Sequence, residues 1–361
     1  MKRSILSLTA AAGLLTMAGC SEKFNVAAPY KNVTVVYAFL DMKDTAHYVR
    51  VEKGFLDENK SALDMAQNAD SNFYSNINVR IERYSIVSNA YFDSIHLNRV
   101  DLAAEGYTKQ PGTFFTSPNY AYKFTEPLNA SYFYRLKITN FATGKTDSAD
   151  APIIDDNPLT GFTVPSIDDH LTNLEGLSFF SILPRRFYTL EGIYRTPGTY
   201  KFHDQKSPLG IVQAIIRFNW DDVDVNTQVH TPRYYDHDLG YLATNGSFAF
   251  SVENASLYNA IAIGMGKAPN NIERYINKCD LTVYGSTPDY NNYRQAVAVQ
   301  GTGLTGSDIS PVYTNVKGEN VLGLFTSRVL HTNKIIIQPR TVDSLIVSSV
   351  LANAKIKGRL Y

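Results

Sequence analysis

Cysteine and tryptophan are scarce: the 361 residues hold two Cys, Cys20 and Cys279, and one Trp. Two cysteines allow at most one disulfide, so a scaffold stapled by several bridges is excluded. Charge is thin as well. Charged residues make up 19 %, and 34 Lys plus Arg balance 34 Asp plus Glu, which removes the basic footprint that nucleic-acid binding requires. That low charge, with 44 % hydrophobic residues, also excludes a disordered chain. No apolar run reaches the ~20 residues of a membrane-spanning helix. No Gly-x-Ser-x-Gly nucleophile turn occurs, and Gly264-Met265-Gly266 and Gly301-Thr302-Gly303 lack the strand-to-helix setting of a phosphate cradle. No fixed-period repeat is present, and no cofactor is expected.

What is present begins at the N-terminus. Lys2 and Arg3 form a cationic start, Ile5 to Met17 an apolar stretch, and Met17-Ala18-Gly19-Cys20 a small-residue cleavage site. The ending resembles a bacterial lipobox. By that resemblance residues 1–19 are a lipoprotein signal peptide and Cys20 becomes the acylated first residue of the mature protein. Acyl chains contribute ~0.8 kcal/mol per buried methylene, so three of them anchor firmly without spanning. The expected location is the outer membrane, lipid-anchored on its periplasmic or surface face. Cys279 then has no disulfide partner. It opens the apolar segment Cys279 to Tyr284 with no His nearby in sequence to activate it, and reads as an inert core residue.

Residues 20–31 show no periodicity and read as a tether. Val33 to Leu40 is rich in β-branched and aromatic residues, and His47 to Lys53 alternates after a turn, so the two predict a β-hairpin. Asn76 to Ile86, with Ile77, Val79 and Ile81 on one face, and Tyr132 to Ile138 predict further half-buried strands. Lys60 to Asp70 suits one short helix. Pro152, Pro158 and Pro165 with Asp155, Asp156, Asp168 and Asp169 mark residues 151–170 as a linker. Beyond it Leu177 to Leu183, Ile211 to Trp220, Ser247 to Val252, Cys279 to Tyr284, Ile335 to Gln338 and Ser344 to Val350 are strand-like. Helices are expected at Asn254 to Met265 and from Pro288, capped by Thr287. The predicted fold is mostly β: an N-terminal immunoglobulin-like β-sandwich over residues 32–150, then a second β-rich domain with a few short helices over residues 171–361.

Asp221-Asp222-Val223-Asp224 clusters carboxylates as a calcium loop does, but lacks the glycine and distal glutamate of an EF-hand, and a solvated acidic turn is the competing reading. His230 and His237, with Asp236 and Asp238, fit no familiar metal spacing and read as a surface loop. The 24 Tyr and 19 Phe are mostly core, yet strand alternation leaves some rings exposed. Exposed tyrosines suit sugar stacking or protein interfaces, and Tyr234 and Tyr235, in an apparently polar loop, are the first candidates for such a platform. Four triplets, at Thr45, Ser94, Ser148 and Ser344, each follow an Asp and precede an apolar residue. They resemble the O-glycosylation acceptor of Bacteroidota envelope proteins and would lie in exposed turns.

Val35 to Leu40, followed by His47 to Val51 and Phe55-Leu56, resembles the N-terminal region of uncharacterised Bacteroidota outer-membrane lipoproteins. Pro311 to Val316 with Gly323 to Arg328 resembles a block near their C-terminal end, although Lys317 to Asn320 is a longer, more polar insert. The resemblance implies a domain of unknown function, and so an address and a fold but no catalytic residues. The expected role is non-enzymatic binding of a glycan or an envelope-protein partner, such as an outer-membrane transporter. The alternatives are an envelope hydrolase with a dispersed active site and an integral β-barrel, for which too few long alternating segments are seen.

Overall fold

The computed structural model describes residues 33–54, 61–154, 178–180, 187–193, 209–244, 247–301 and 313–361. In chain order they form β1 (Val33–Leu40), β2 (His47–Gly54), α1 (Ala62–Ala66), α2 (Ala69–Asn72), β3 (Ile77–Ser85), β4 (Tyr91–His96), β5 (Asn98–Asp101), β6 (Tyr120–Phe124), β7 (Tyr132–Asn140) and β8 (Lys145–Pro152). There follow β9 (Ser178–Phe180), β10 (Phe187–Ile193), β11 (Ile211–Asp224), β12 (His230–Ala243), β13 (Ser247–Glu253), α3 (Asn254–Met265), β14 (Ile272–Ile276), β15 (Cys279–Ser286), α4 (Pro288–Gly301), β16 (Val321–Ile337), α5 (Pro339–Val347), a 3₁₀ turn (Ser349–Ala354) and β17 (Ile356–Arg359). The fold is β-rich with a few short helices, as predicted. No helix among the described residues is long and apolar enough to cross a membrane.

Alternation in β1 turns Val36, Ala38 and Leu40 inward and leaves Tyr37 and Phe39 outward. The inward set meets Val49 and Val51 of β2, and across the core Val79 and Ile81 of β3 and Tyr134, Leu136 and Ile138 of β7. Two sheets close on this core in a sandwich-like arrangement, one ordered β16-β1-β2-β6-β5 and the other β4-β3-β7-β8. Tyr134 is fully buried, and its hydroxyl accepts from the Asn129 backbone N–H at 2.9 Å, which satisfies the one polar atom that burial would otherwise orphan.

The second core gathers on one face of β11. Val212, Ala214, Ile216, Phe218 and Trp220 pack against Leu257 and Ile261 of α3, Val342 and Leu345 of α5, and Leu351 of the 3₁₀ turn. β11 runs four residues beyond its predicted end at Trp220, carrying the Asp221 to Asp224 cluster inside the strand. Ser344 to Val350, read as strand-like, is instead helix and 3₁₀ turn. Pro339 opens α5, and Val342 and Leu345, three apart, bury one of its faces.

These two cores do not follow the division expected at residues 151–170, of which only 151–154 are described. Val316, Val321 and Phe325 belong to the first core, and Ile154 to the second. The cause is β16. Its first part, Val321 to Ser327, pairs with β1 in a parallel ladder, and its second, Arg328 to Ile335, pairs antiparallel with β15. Buried Ser327 fastens the crossing point: its hydroxyl donates to the Pro152 carbonyl at 2.6 Å and accepts from the Ile154 N–H at 3.2 Å.

His47 opens β2 with 2 % of its surface exposed, its ring tilted against Phe124, and among the described residues neither ring nitrogen has a hydrogen-bond partner. Burial pushes its pKa below the ordinary 6.5, against the opposing pull of Asp44, Asp41 and Glu126. The folded state therefore prefers the neutral ring. The unfolded chain binds the extra proton once pH falls below about 6.5, so this part of the stability is present above that pH and lost on acidification. Thermal melts should show a smaller loss of Tm between neutral and mildly acidic pH in His47→Phe than in the parent. The remaining loss is expected from His237, which burial shifts in the same direction. Equal losses in parent and variant would exclude His47.

Candidate functional site

Among the described residues, the face of β11 opposite the second core carries no helix along most of its length, and its residues form cross-strand rows with β12, β15 and β16. One row reads Leu330, Tyr284, Gln213, Tyr241; the next Thr332, Thr282, Ile215, Asp238; the next Lys334, Asp280, Arg217, Asp236. Arg217 donates through Nε and Nη2 to both Asp236 carboxylate oxygens, at 2.7 and 2.8 Å, and its guanidinium lies 4.1 Å from the centre of the Tyr234 ring. Gln213 donates to Asp238 at 2.8 Å, Asn219 donates to Asp280 at 3.1 Å, and the Thr282 and Thr332 hydroxyls meet at 3.0 Å.

At the end nearest β1 this face deepens into a cleft of about 270 Å³ lined by the rings of Phe39, Tyr241, Tyr284 and Tyr290, with Gln213, Ser286 and Arg328. Each ring comes from a different element. α4 starts at Pro288, whose backbone passes so close to Gly210 that a side chain there would collide with it. The helix then lays Tyr290 edge-on to Phe39, with centroids 5.4 Å apart, and sets the Arg294 guanidinium 3.4 Å above the centre of the Tyr241 ring. Beside them Tyr293 meets Tyr37, and burial with this neighbour pushes the Tyr37 pKa up to about 12. Arg328, at the cleft mouth, approaches Asp41 at 3.3 Å and Asp44 at 3.6 Å. A second depression, of about 210 Å³, shares Tyr284 with the cleft, and a third, of about 520 Å³, shares Asp280 with the second, so the three form one furrow along the strands.

Of the two predicted platform tyrosines, Tyr234 is on this face and exposed, but Tyr235 is not. The segment is a strand, not a loop, so neighbouring residues point to opposite sides, and Tyr235 packs on the second core with its ring against Gly264. Tyr241, Tyr284 and Tyr290 went unrecognised. Counting by twos from Tyr234 puts Tyr241 on the wrong side, and a bulge opposite Ala214 restores it, with Gly240 at φ +83° absorbing the extra residue.

The acidic cluster does not converge. Asp221 and Asp222 project to opposite faces of β11. Asp221 approaches His230 at 3.2 Å, whereas Asp222 accepts from Trp220 at 3.0 Å and from buried Arg274 at 2.9 Å. Asp224 closes the following turn by accepting from the backbone N–H groups of Thr227 and Asn226, which hold its carboxyl below the usual range. Among the described residues no group of three or more His, Cys, Asp or Glu is placed to hold a metal. His237 is half-buried on the opposite face from Asp236 and Asp238.

Thr45 is exposed in the β1–β2 turn and Ser94 exposed within β4. Ser94 is thus in a strand and not a turn, and the other two acceptors are not in turns either. Ser148 is half-buried in β8, bonded through its backbone to Lys317 in both directions, and the Ser344 hydroxyl donates to the Arg340 carbonyl at 2.8 Å inside α5. Cys279 is fully buried, and burial pushes its thiol well up, away from the thiolate a nucleophile needs. Gly301 ends α4, so the Gly301-Thr302-Gly303 segment begins at the end of a helix, and its remaining residues, like Cys20, lie outside the described residues. No family model matches the sequence, and no curated protein matches it either.

Proposed function

We propose that this chain is a lipid-anchored outer-membrane protein, held at Cys20, whose furrow binds a glycan. The observation that carries the reading is the cleft at the junction of the two cores, where four aromatic rings from four elements face one small space that opens onto a row of hydrogen-bonding side chains. Tyrosine rings present flat apolar faces to the C–H faces of sugars and keep a polar tip for hydroxyls. The furrow's carboxylates are engaged: Asp236 by Arg217, Asp280 by Asn219, Asp238 by Gln213 and Asp221 by His230. A hydrolase would need one of them free as acid and another as base. Binding is the better account.

The mature protein should be retained on an array of envelope and dietary glycans. Tyr290→Ala should weaken retention about tenfold, the loss expected for a buried aromatic contact, while Tyr235→Phe, on the far face, should leave it unchanged. Labelling with a fatty-acid analogue should mark the parent and not Cys20→Ser. Glycoside turnover abolished by Asp236→Asn would hand the site to the hydrolase reading.

A further inference from the structure

The charges along the cleft and the middle of the furrow come in opposed sets, while Arg233 and Lys278 add positive charge only at its far end, and this narrows the class of glycan seated in the cleft and middle; the inference rests on the glycan-binding reading. Along one row Lys334, Asp280, Arg217 and Asp236 alternate in sign. Arg217 is clamped by both oxygens of Asp236, and at the cleft mouth Arg328 faces Asp41 and Asp44. Fixed pairs of opposite sign cast little field beyond their own length, so they neither draw in an ion nor select one. At short range the same pairs offer oriented donors beside acceptors. That suits a hydroxyl, which donates and accepts at once, better than a carboxylate or an ammonium, which does only one.

Two further features favour a sugar over a peptide. Peptides in extended form are usually held through unpaired strand edges, whereas the floor of this furrow is the pleated face of β11, β15 and β16, whose backbone groups are paired in ladders. And four rings gather at one end, with Tyr234 at the other. The geometry points to a neutral saccharide chain lying along the strands, one ring seated in the cleft beside Tyr284 and Tyr290 and the following rings over Arg217 and Asp236. From Arg328 to Lys334 the strand advances about 20 Å, room for several sugar units.

Native electrophoresis of the full mature chain through gels containing mannan, xylan or laminarin, and in parallel alginate as a polyuronate, tests this. At least one neutral polymer should retard the protein, equally at low and high salt, and alginate should not. Tyr284→Ala and Arg217→Ala should each weaken the retardation about tenfold with unchanged thermal melts, and Arg217→Lys should fail to restore it, because an ammonium cannot reproduce the clamped fork. Retardation by alginate that high salt abolishes would overturn the neutral class while leaving glycan binding standing. Retardation indifferent to both alanine variants would place binding elsewhere. If no polymer retards the protein while an envelope protein co-purifies with it, the glycan reading itself falls.

Discussion

A chain cut after Ile154 is expected not to fold, although it retains the predicted β1–β2 hairpin and every strand predicted for the N-terminal domain. It loses Val316, Val321 and fully buried Phe325 from the core, and the β16 partner that covers the outer edge of β1. Removing a buried Phe costs about 3–5 kcal/mol and each Val adds to it. Whole domains are stable by only about 5–15 kcal/mol, so the loss is comparable with everything the unit has. The uncovered edge of β1 would also present seven unpaired residues, a template for aggregation. Circular dichroism and amide NMR of residues 21–154 should show no cooperative melt and poor dispersion. Adding a peptide spanning residues 313–337 should restore both. A cooperatively folded 21–154 fragment would show that the first core stands without β16.

The second large effect is expected at Gly323→Ala. Gly323 has φ +124°, and the backbone N, C and O of Val36, its partner in the parallel ladder, occupy the space a Cβ would need. Neither atom set is the free end of a side chain, so relief requires the two strands to part. Strain in that backbone region costs about 1–3 kcal/mol, and the collision adds to it, so about 3 kcal/mol or more should be lost in chemical denaturation. Gly240→Ala is the control. At φ +83° it is strained, but nothing lies within 4 Å of the added carbon, and about 1 kcal/mol is expected. Equal costs at the two positions would mean that strain alone acts at Gly323.

Local pattern revealed much of this fold. Alternation marked β1, β2, β3 and β7 nearly to the residue, and α3 was bounded correctly at Asn254 and Met265. At α4 the predicted Pro288 start holds, while the hydroxyl of Thr287, expected as its cap, pairs with Thr326. β12 escaped notice because an edge strand with one open face can carry Arg, Tyr, Asp and His together, so its polarity imitates a loop. The β1–β16 ladder left no local trace, since parallel partners need no turn between them and these lie near opposite ends of the chain. The site shares that difficulty. Phe39, Tyr241, Tyr284 and Tyr290 become neighbours only through the ladders, and the bulge before Tyr241 hides its side even from correct counting.

The direction of that same ladder decides how the molecule bears load. The N-terminal end of β1 is the end that leads back in sequence to Cys20, while β16 runs beside β1 in the same sense and continues into the sheet that carries the furrow. Tension between the proposed anchor at Cys20 and a polymer bound as proposed would therefore drag the two strands lengthwise past each other. Dragged so, the bonds from Thr34 to Leu40 resist together; a strand lifted from its end would surrender them one at a time. Held at its N-terminal end as proposed, the chain would be loaded along this seam in shear, the direction in which a parallel ladder resists unravelling best.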